Sequence, residues 1–131
     1  MAISRVLVVD DEPDLRRLTQ FSLQAVGKWQ VTAVASGEEA VAAALRERFD
    51  VVLLDVQMPG FDGLATLQAL REQPSLAGLP VIFLTATALD HEQERLRALG
   101  ALGVILKPFE PLGLASQVAA LVAAGAPRAG P

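Results

Sequence analysis

Five short apolar runs punctuate the chain, at residues 6–9, 31–34, 51–54, 81–84 and 104–106. Four are continuous rather than alternating, the pattern of strands covered on both faces. The second, Val31-Thr32-Ala33-Val34, alternates weakly and suits a sheet edge. Helical periodicity fills the intervals. Leu15, Leu18, Phe21 and Ala25 recur behind Pro13, a residue tolerated in a first helical turn. Ser36 and Glu39 have capping-box spacing ahead of Val41, Ala44 and Leu45. Leu64, Leu67 and Leu70 follow Asp62-Gly63, and Asp90 with Gln93 makes a weaker capping box before Leu96 and Leu99. Leu114, Val118, Leu121 and Val122 mark the last helix. The predicted order is βαβαβαβαβα, an α/β domain whose parallel sheet lies between two helical layers joined by right-handed crossovers.

Composition narrows the possibilities. A chain of 131 residues, 52% apolar and 20% charged, suits one domain with a real core and excludes wholesale disorder. The segment 125–131 is small and rich in Pro and Gly, so the domain is expected over 1–124 with a frayed tail or the start of a linker beyond it. With 11 Lys and Arg against 15 Asp and Glu, the net charge of −4 argues against nucleic acid as a direct partner. The absence of cysteine excludes disulfides and thiolate chemistry, and a single histidine, His91, argues against His-rich metal sites and a Ser–His–Asp triad. No run reaches the roughly 20 apolar residues of a membrane span. The N-terminus enters an apolar run and soon meets Asp10, so no signal peptide and a cytoplasmic location are expected.

The chemistry is concentrated just beyond the strands. Val9 is followed by Asp10-Asp11, Leu54 by Asp55, Leu84 by Thr85, and Leu106 by Lys107. In an open parallel sheet all carboxyl ends share one edge, where ligands bind. Each residue alone has a plainer use. Asp11 can cap a helix. Asp55 can open the turn through Met58-Pro59-Gly60. Thr85 can satisfy backbone groups, and Lys107 can be a solvated surface lysine. Four separate segments delivering such groups to one edge favour a site. Three adjacent carboxylates repel by about 4 kcal/mol per pair at roughly 4 Å and an effective dielectric near 20. An all-oxygen divalent cation site relieves that repulsion, which points to Mg²⁺ or Mn²⁺. Together with Lys107 such a cation balances the carboxylates, leaving the site able to accept a phosphoryl group. Carboxylates are an established class of phosphoryl-accepting nucleophile.

These residues also carry a resemblance. Val8-Val9-Asp10-Asp11-Glu12-Pro13, Asp55-Val56-Gln57-Met58-Pro59-Gly60-Phe61-Asp62-Gly63, Thr85-Ala86 and Lys107-Pro108-Phe109 resemble the receiver domain of bacterial two-component response regulators. The similarity runs from about residue 5 to residue 122. It implies a flavodoxin-like, doubly wound sheet of order 2-1-3-4-5 with five helices. It implies that Asp55 accepts a phosphoryl group from the phosphohistidine of a sensor histidine kinase or phosphotransfer protein. Asp11 and Asp55 would then ligate Mg²⁺ together with the backbone carbonyl of Gln57, and Asp10 would act through bound water. Thr85 and Lys107 would hold the phosphoryl oxygens, and a cis bond before Pro108 would set Lys107 in place. Gln57 and Thr87 would flank the water that hydrolyses the product. Family members commonly carry Tyr or Phe three residues before the lysine; here the residue is Val104.

The resemblance makes the protein a signalling switch, not a metabolic enzyme. Two other readings fit parts of the sequence. A haloacid-dehalogenase-like phosphohydrolase also uses an aspartyl nucleophile, but Asp55-Val56-Gln57 lacks its second carboxylate. An interaction module without phosphorylation has no need of the complete polar set. For output, the resemblance points to the face built from the fourth helix, fifth strand and fifth helix, docking a downstream effector or a second copy. From residue 111 to 127 no side chain is charged, and the outer face of the last helix is expected to carry Ala115, Ala119 and Ala123.

Overall fold

In the computed structural model, which describes residues 3–56, 62–86 and 90–125, every apolar run becomes a strand. The order is β1 (Arg5–Val9), α1 (Pro13–Ser22), β2 (Gln30–Val34), α2 (Gly37–Arg46), β3 (Val51–Asp55), α3 (Gly63–Glu72), β4 (Val81–Thr85), α4 (Asp90–Ala98), β5 (Gly103–Leu106) and α5 (Leu114–Ala124). All four strand pairings are parallel, and the sheet order is β2-β1-β3-β4-β5. Because the chain winds from β1 outward in both directions, helices cover both faces. Alternate residues of the central strands therefore feed two separate cores. Leu7, Val9, Val52, Leu54, Val81 and Phe83 pack with the buried residues of α2 to α4. Val6, Val8, Val51, Leu53, Ile82 and Leu84 pack with Leu23 and α5. Two-sided burial is why these runs are continuous. The fifth run differs. β5 is an edge strand, and its Leu106 is 42% exposed.

The helices correct the sequence reading in detail. Leu18, Phe21 and Ala25 face outward, with Phe21 68% exposed, while Thr19, Ser22 and Leu23 turn inward. Spacing by three rotates the face by about 60° per step at 3.6 residues per turn, so Phe21 has drifted far from Leu15. Spacing 15, 19, 22 stays on one face. The buried hydroxyls are satisfied, Thr19 donating to the Leu15 carbonyl at 2.8 Å and Ser22 to the carbonyl of Pro111. The helix ends in a wider turn, Leu23–Gly27, before Lys28 adopts a left-handed conformation. In α2, Ala40, Ala43 and Ala44 form the inner face, leaving Leu45 exposed, and Leu96 of α4 is buried while Leu99, just past the helix end, is exposed. In α5, Ala115 is buried beside Leu114, Val118 and Val122, so the exposed residues are Ser116, Gln117, Ala119, Ala120, Ala123 and Ala124, without Ala115.

Polar contacts fix the helix ends. Ser36 caps α2 by accepting from the Glu39 amide at 3.2 Å, and Asp62 caps α3 by accepting from Ala65 at 2.9 Å. The half-buried Arg71 donates to the carbonyls of Leu79 at 2.8 Å and Gly100 at 3.2 Å, tying α3 to the end of α4.

One glycine governs the approach of α3 to the sheet. The Gly63 amide donates to the Val56 carbonyl at 3.1 Å. A Cβ at Gly63 would lie 2.4 Å from the Asp55 carbonyl oxygen and 2.8 Å from the Val56 Cα, both backbone atoms that cannot rotate away. Gly63→Ala should therefore destabilise the protein by about 2–3 kcal/mol through overpacking. Urea denaturation with an unchanged m value checks this.

Candidate functional site

Three carboxylates meet where the strand order reverses. Asp10 and Asp11 follow β1, and Asp55 is the last residue of β3. Their nearest oxygens all lie within 4.8 Å of one another. The sheet sets these positions. The Asp10 amide donates to the Val34 carbonyl of β2 at 3.1 Å, and the Val56 amide donates to the Leu84 carbonyl of β4 at 3.1 Å. Both chains thus stay in ladder register until the acidic side chains have been delivered. Thr85 ends β4, opposite Leu106 in register, and its carbonyl accepts from the Lys107 amide at 2.8 Å. The Lys107–Pro108 bond is cis.

The charges are unevenly shared. Lys107 Nζ lies 3.2 Å from Asp55 Oδ1 and 3.9 Å from Asp10 Oδ2. Asp10 is fully buried. Its Oδ1 accepts from the Glu12 amide at 3.0 Å, whereas its Oδ2 is buried with no hydrogen-bond donor among the described residues. Burial raises the Asp10 carboxyl from its ordinary 3.8 to about 6, against the opposing pull of the Glu12 amide and Lys107. A cap from Asp11 onto α1 does not form: Glu12 is the N-cap residue and makes no side-chain cap, and the Asp10 carboxylate accepts from the Glu12 amide just ahead of the helix. Asp11 and Asp55 line a pocket of about 280 Å³ with Glu12, Thr85, Ala86 and Lys107. A larger hollow of about 860 Å³ opens at the other end of the sheet, between Phe49, Leu76 and Pro80. There Glu47 is paired with Arg5 at 2.7 Å and Asp50 accepts from the amides of Ser4 and Arg5, so those acids serve the fold.

All five polar residues expected at the carboxyl edge, Asp10, Asp11, Asp55, Thr85 and Lys107, are there. Gln57 and Thr87 lie outside the described residues. Val104 sits half-buried on β5 opposite Phe83 and packs against the core on the α2–α4 side. One neighbour was missing from the sequence reading. Arg16, in the first turns of α1, donates from Nη1 to the Asp10 carbonyl at 2.9 Å. A basic residue following Asp-Asp by about one helical turn was the available signal.

Residues 6–119 match the response regulator receiver domain family. The chain belongs to that family. The receiver is 44% identical over 106 residues to TcrX of Mycobacterium tuberculosis, covering 79% of this chain and 43% of TcrX. It is 34% identical over 119 residues to the transcriptional regulatory protein ResD of Bacillus subtilis, covering 91% of this chain and 48% of ResD. The chain thus spans less than half the length of these relatives. Among solved structures, the chemotaxis protein CheY4 of Vibrio cholerae superposes with a TM-score of 0.84 at 34% identity, covering 92% of this chain and 99% of CheY4. As a receiver domain, the chain is a phosphorylation-activated switch of two-component signalling. Among the described residues no helix is long and apolar enough to cross a membrane.

The buried Asp10 has a measurable consequence. With its pKa raised on folding, the folded protein keeps a proton between about pH 4 and 6 that the unfolded chain releases. Stability without metal should fall as pH rises through that window, by at most about 3 kcal/mol at roughly 1.4 kcal/mol per unit. Asp10→Asn should remove the fall, so that parent and variant converge below about pH 4 and the variant is more stable above about pH 6. Denaturant titrations in chelator at stepped pH read this difference directly.

Proposed function

We propose that Asp55 is the phosphoacceptor, with Lys107 and Thr85 as its partners and Asp10, Asp11 and Asp55 as the acidic set that holds Mg²⁺. The observation that carries this reading is the cluster of three carboxylates within 4.8 Å, set against a lysine 3.2 Å from Asp55. The donor set fits a hard divalent cation, being all oxygen, and the buried Asp10 Oδ2 has no donor among the described residues. When bound, such a cation neutralises the carboxylates and draws charge from phosphoryl oxygens. Mn²⁺ satisfies the same donors.

The reaction follows from these positions. An Asp55 carboxylate oxygen attacks the phosphorus of a kinase or phosphotransfer-protein phosphohistidine. The new O–P bond forms as the P–N bond breaks, and the imidazole leaves with the electron pair and takes up a proton. Lys107 pairs with the transferred group, and the Thr85 hydroxyl donates to one of its oxygens. Positioning and charge neutralisation suffice, since phosphoryl transfer needs no strong general base here. The domain turns over only its own phosphoryl group. Gln57 and Thr87 are the proposed neighbours of the hydrolytic water, Gln57 also giving its carbonyl to the cation, and Pro108 holds the Lys107 loop.

With acetyl phosphate and Mg²⁺, intact mass should show one phosphoryl adduct per chain, and Asp55→Asn should show none. Lys107→Ala should slow adduct formation about 100-fold or more, and Thr85→Ala about tenfold. Steady turnover of a generic phosphate ester would instead support a phosphohydrolase.

For output we propose the face of α4, β5 and α5. Leu99 and Leu106 are 50% and 42% exposed there, and the outer α5 surface offers Ala119, Ala120 and Ala123 without a charge. A helix held by one apolar stripe leaves its other face free to be polar, so this composition suits close approach by an effector or a second copy. Ala119→Glu should preserve folding and phosphorylation while disrupting self-association or effector capture. Sedimentation with and without a phosphoryl mimic measures the first, and unchanged association in both would count against the face.

A further inference from the structure

We infer that Arg16 is a positioning residue for the acidic site, acting through the peptide bond that joins Asp10 to Asp11; the inference rests on the cation site proposed above. The Asp10 amide is taken by Val34 of β2, but β1 ends at Val9 and its ladder does not extend to the Asp10 carbonyl. Arg16 supplies the missing donor from α1, Nη1 to carbonyl oxygen at 2.9 Å. The next residue, Arg17, pairs with Asp14 on the surface at 3.2 Å instead. Among the described residues Arg16 has no carboxylate within ion-pair distance, so its one polar contact is this carbonyl.

The contact fixes a peptide plane, and that plane sets the directions of the side chains on either side of it. Asp10 is then held at three points: its amide by Val34, its Oδ1 by the Glu12 amide and its carbonyl by Arg16. Asp11 has the Arg16-held peptide as its upstream anchor. Without Arg16 the Asp10–Asp11 peptide is free to rotate, and the carboxylates lose the arrangement a cation requires.

The sign of the effect separates this role from simple electrostatics. A nearby guanidinium repels a divalent cation, so removing it for charge reasons alone would tighten Mg²⁺ binding. Loss of a positioning contact weakens it, by about tenfold where a supporting hydrogen bond to a metal site is lost. The experiment titrates Mg²⁺ into the parent, Arg16→Ala and Arg16→Lys, following heat of binding, with melting in chelator as the folding control. Arg16→Ala should bind Mg²⁺ about tenfold more weakly. Arg16→Lys, which keeps a donor on a long stem, should recover most of the loss. Phosphorylation by acetyl phosphate in Arg16→Ala should approach the parental rate at saturating Mg²⁺. Equal or tighter binding by Arg16→Ala overturns the inference, as does an Arg16→Lys no better than Arg16→Ala. A parent that binds no Mg²⁺ overturns the cation site itself, and the inference with it.

Discussion

Three carboxylates within 4.8 Å of one another repel by about 3–4 kcal/mol per pair at an effective dielectric near 20, and the fold must hold them together against that repulsion. The neighbouring cation, Lys107, lies close to Asp55 and farther from Asp10. The backbone supplies the rest of the restraint. Two ladder hydrogen bonds, from Asp10 to Val34 and from Val56 to Leu84, keep β1 and β3 aligned up to the acidic residues. Further relief falls to protonation of Asp10 or to a bound cation. Burial is the main cause of the raised Asp10 pKa, with the Asp55 and Asp11 charges adding to it, and the proposed Mg²⁺ site answers those same charges.

The sheet makes the crowding possible. Its central strands are buried on both faces, so burial resists any sliding of β1 against β3. Gly63 lets α3 rest directly on the end of β3, and Arg71 ties α3 to the turn after α4. The elements proposed to carry an output signal are less enclosed. β5 is an edge strand, Leu99 and Leu106 are exposed, and the outside of α5 is small and uncharged. A change at Thr85 and Lys107 therefore begins at the junction between a rigid platform and an open face.

Strand number and the polar edge were legible in the sequence because each rests on a short-range pattern, whereas the strand order came only with the family resemblance. A continuous apolar run followed at once by Asp, Thr or Lys needs no knowledge of partners. Helix facing was less legible. In α1, apolar residues at intervals of three suggested one face, but the helix buried Thr19 and Ser22 because their hydroxyls find carbonyls. The Ser22 contact with Pro111 is long-range and has no local signature. Ala115 was misplaced for a related reason, since alanine carries little preference for inside or outside and Leu114 and Val118 decide the face. Arg16 also escaped notice. Its target is a backbone carbonyl, which no residue type announces, so a basic residue shortly after Asp-Asp was the one signal to follow.

The crowding itself is open to one direct measurement, the unfolding free energy of Asp55→Asn beside the parent, in chelator and in Mg²⁺ near neutral pH. Removing one of three mutually repelling carboxylates should make the variant the more stable of the two in chelator. Adding Mg²⁺ should stabilise the parent more than the variant and narrow or reverse the gap. A variant less stable than the parent in chelator would contradict the account, because the Asp55 charge would then be a net contributor to the fold.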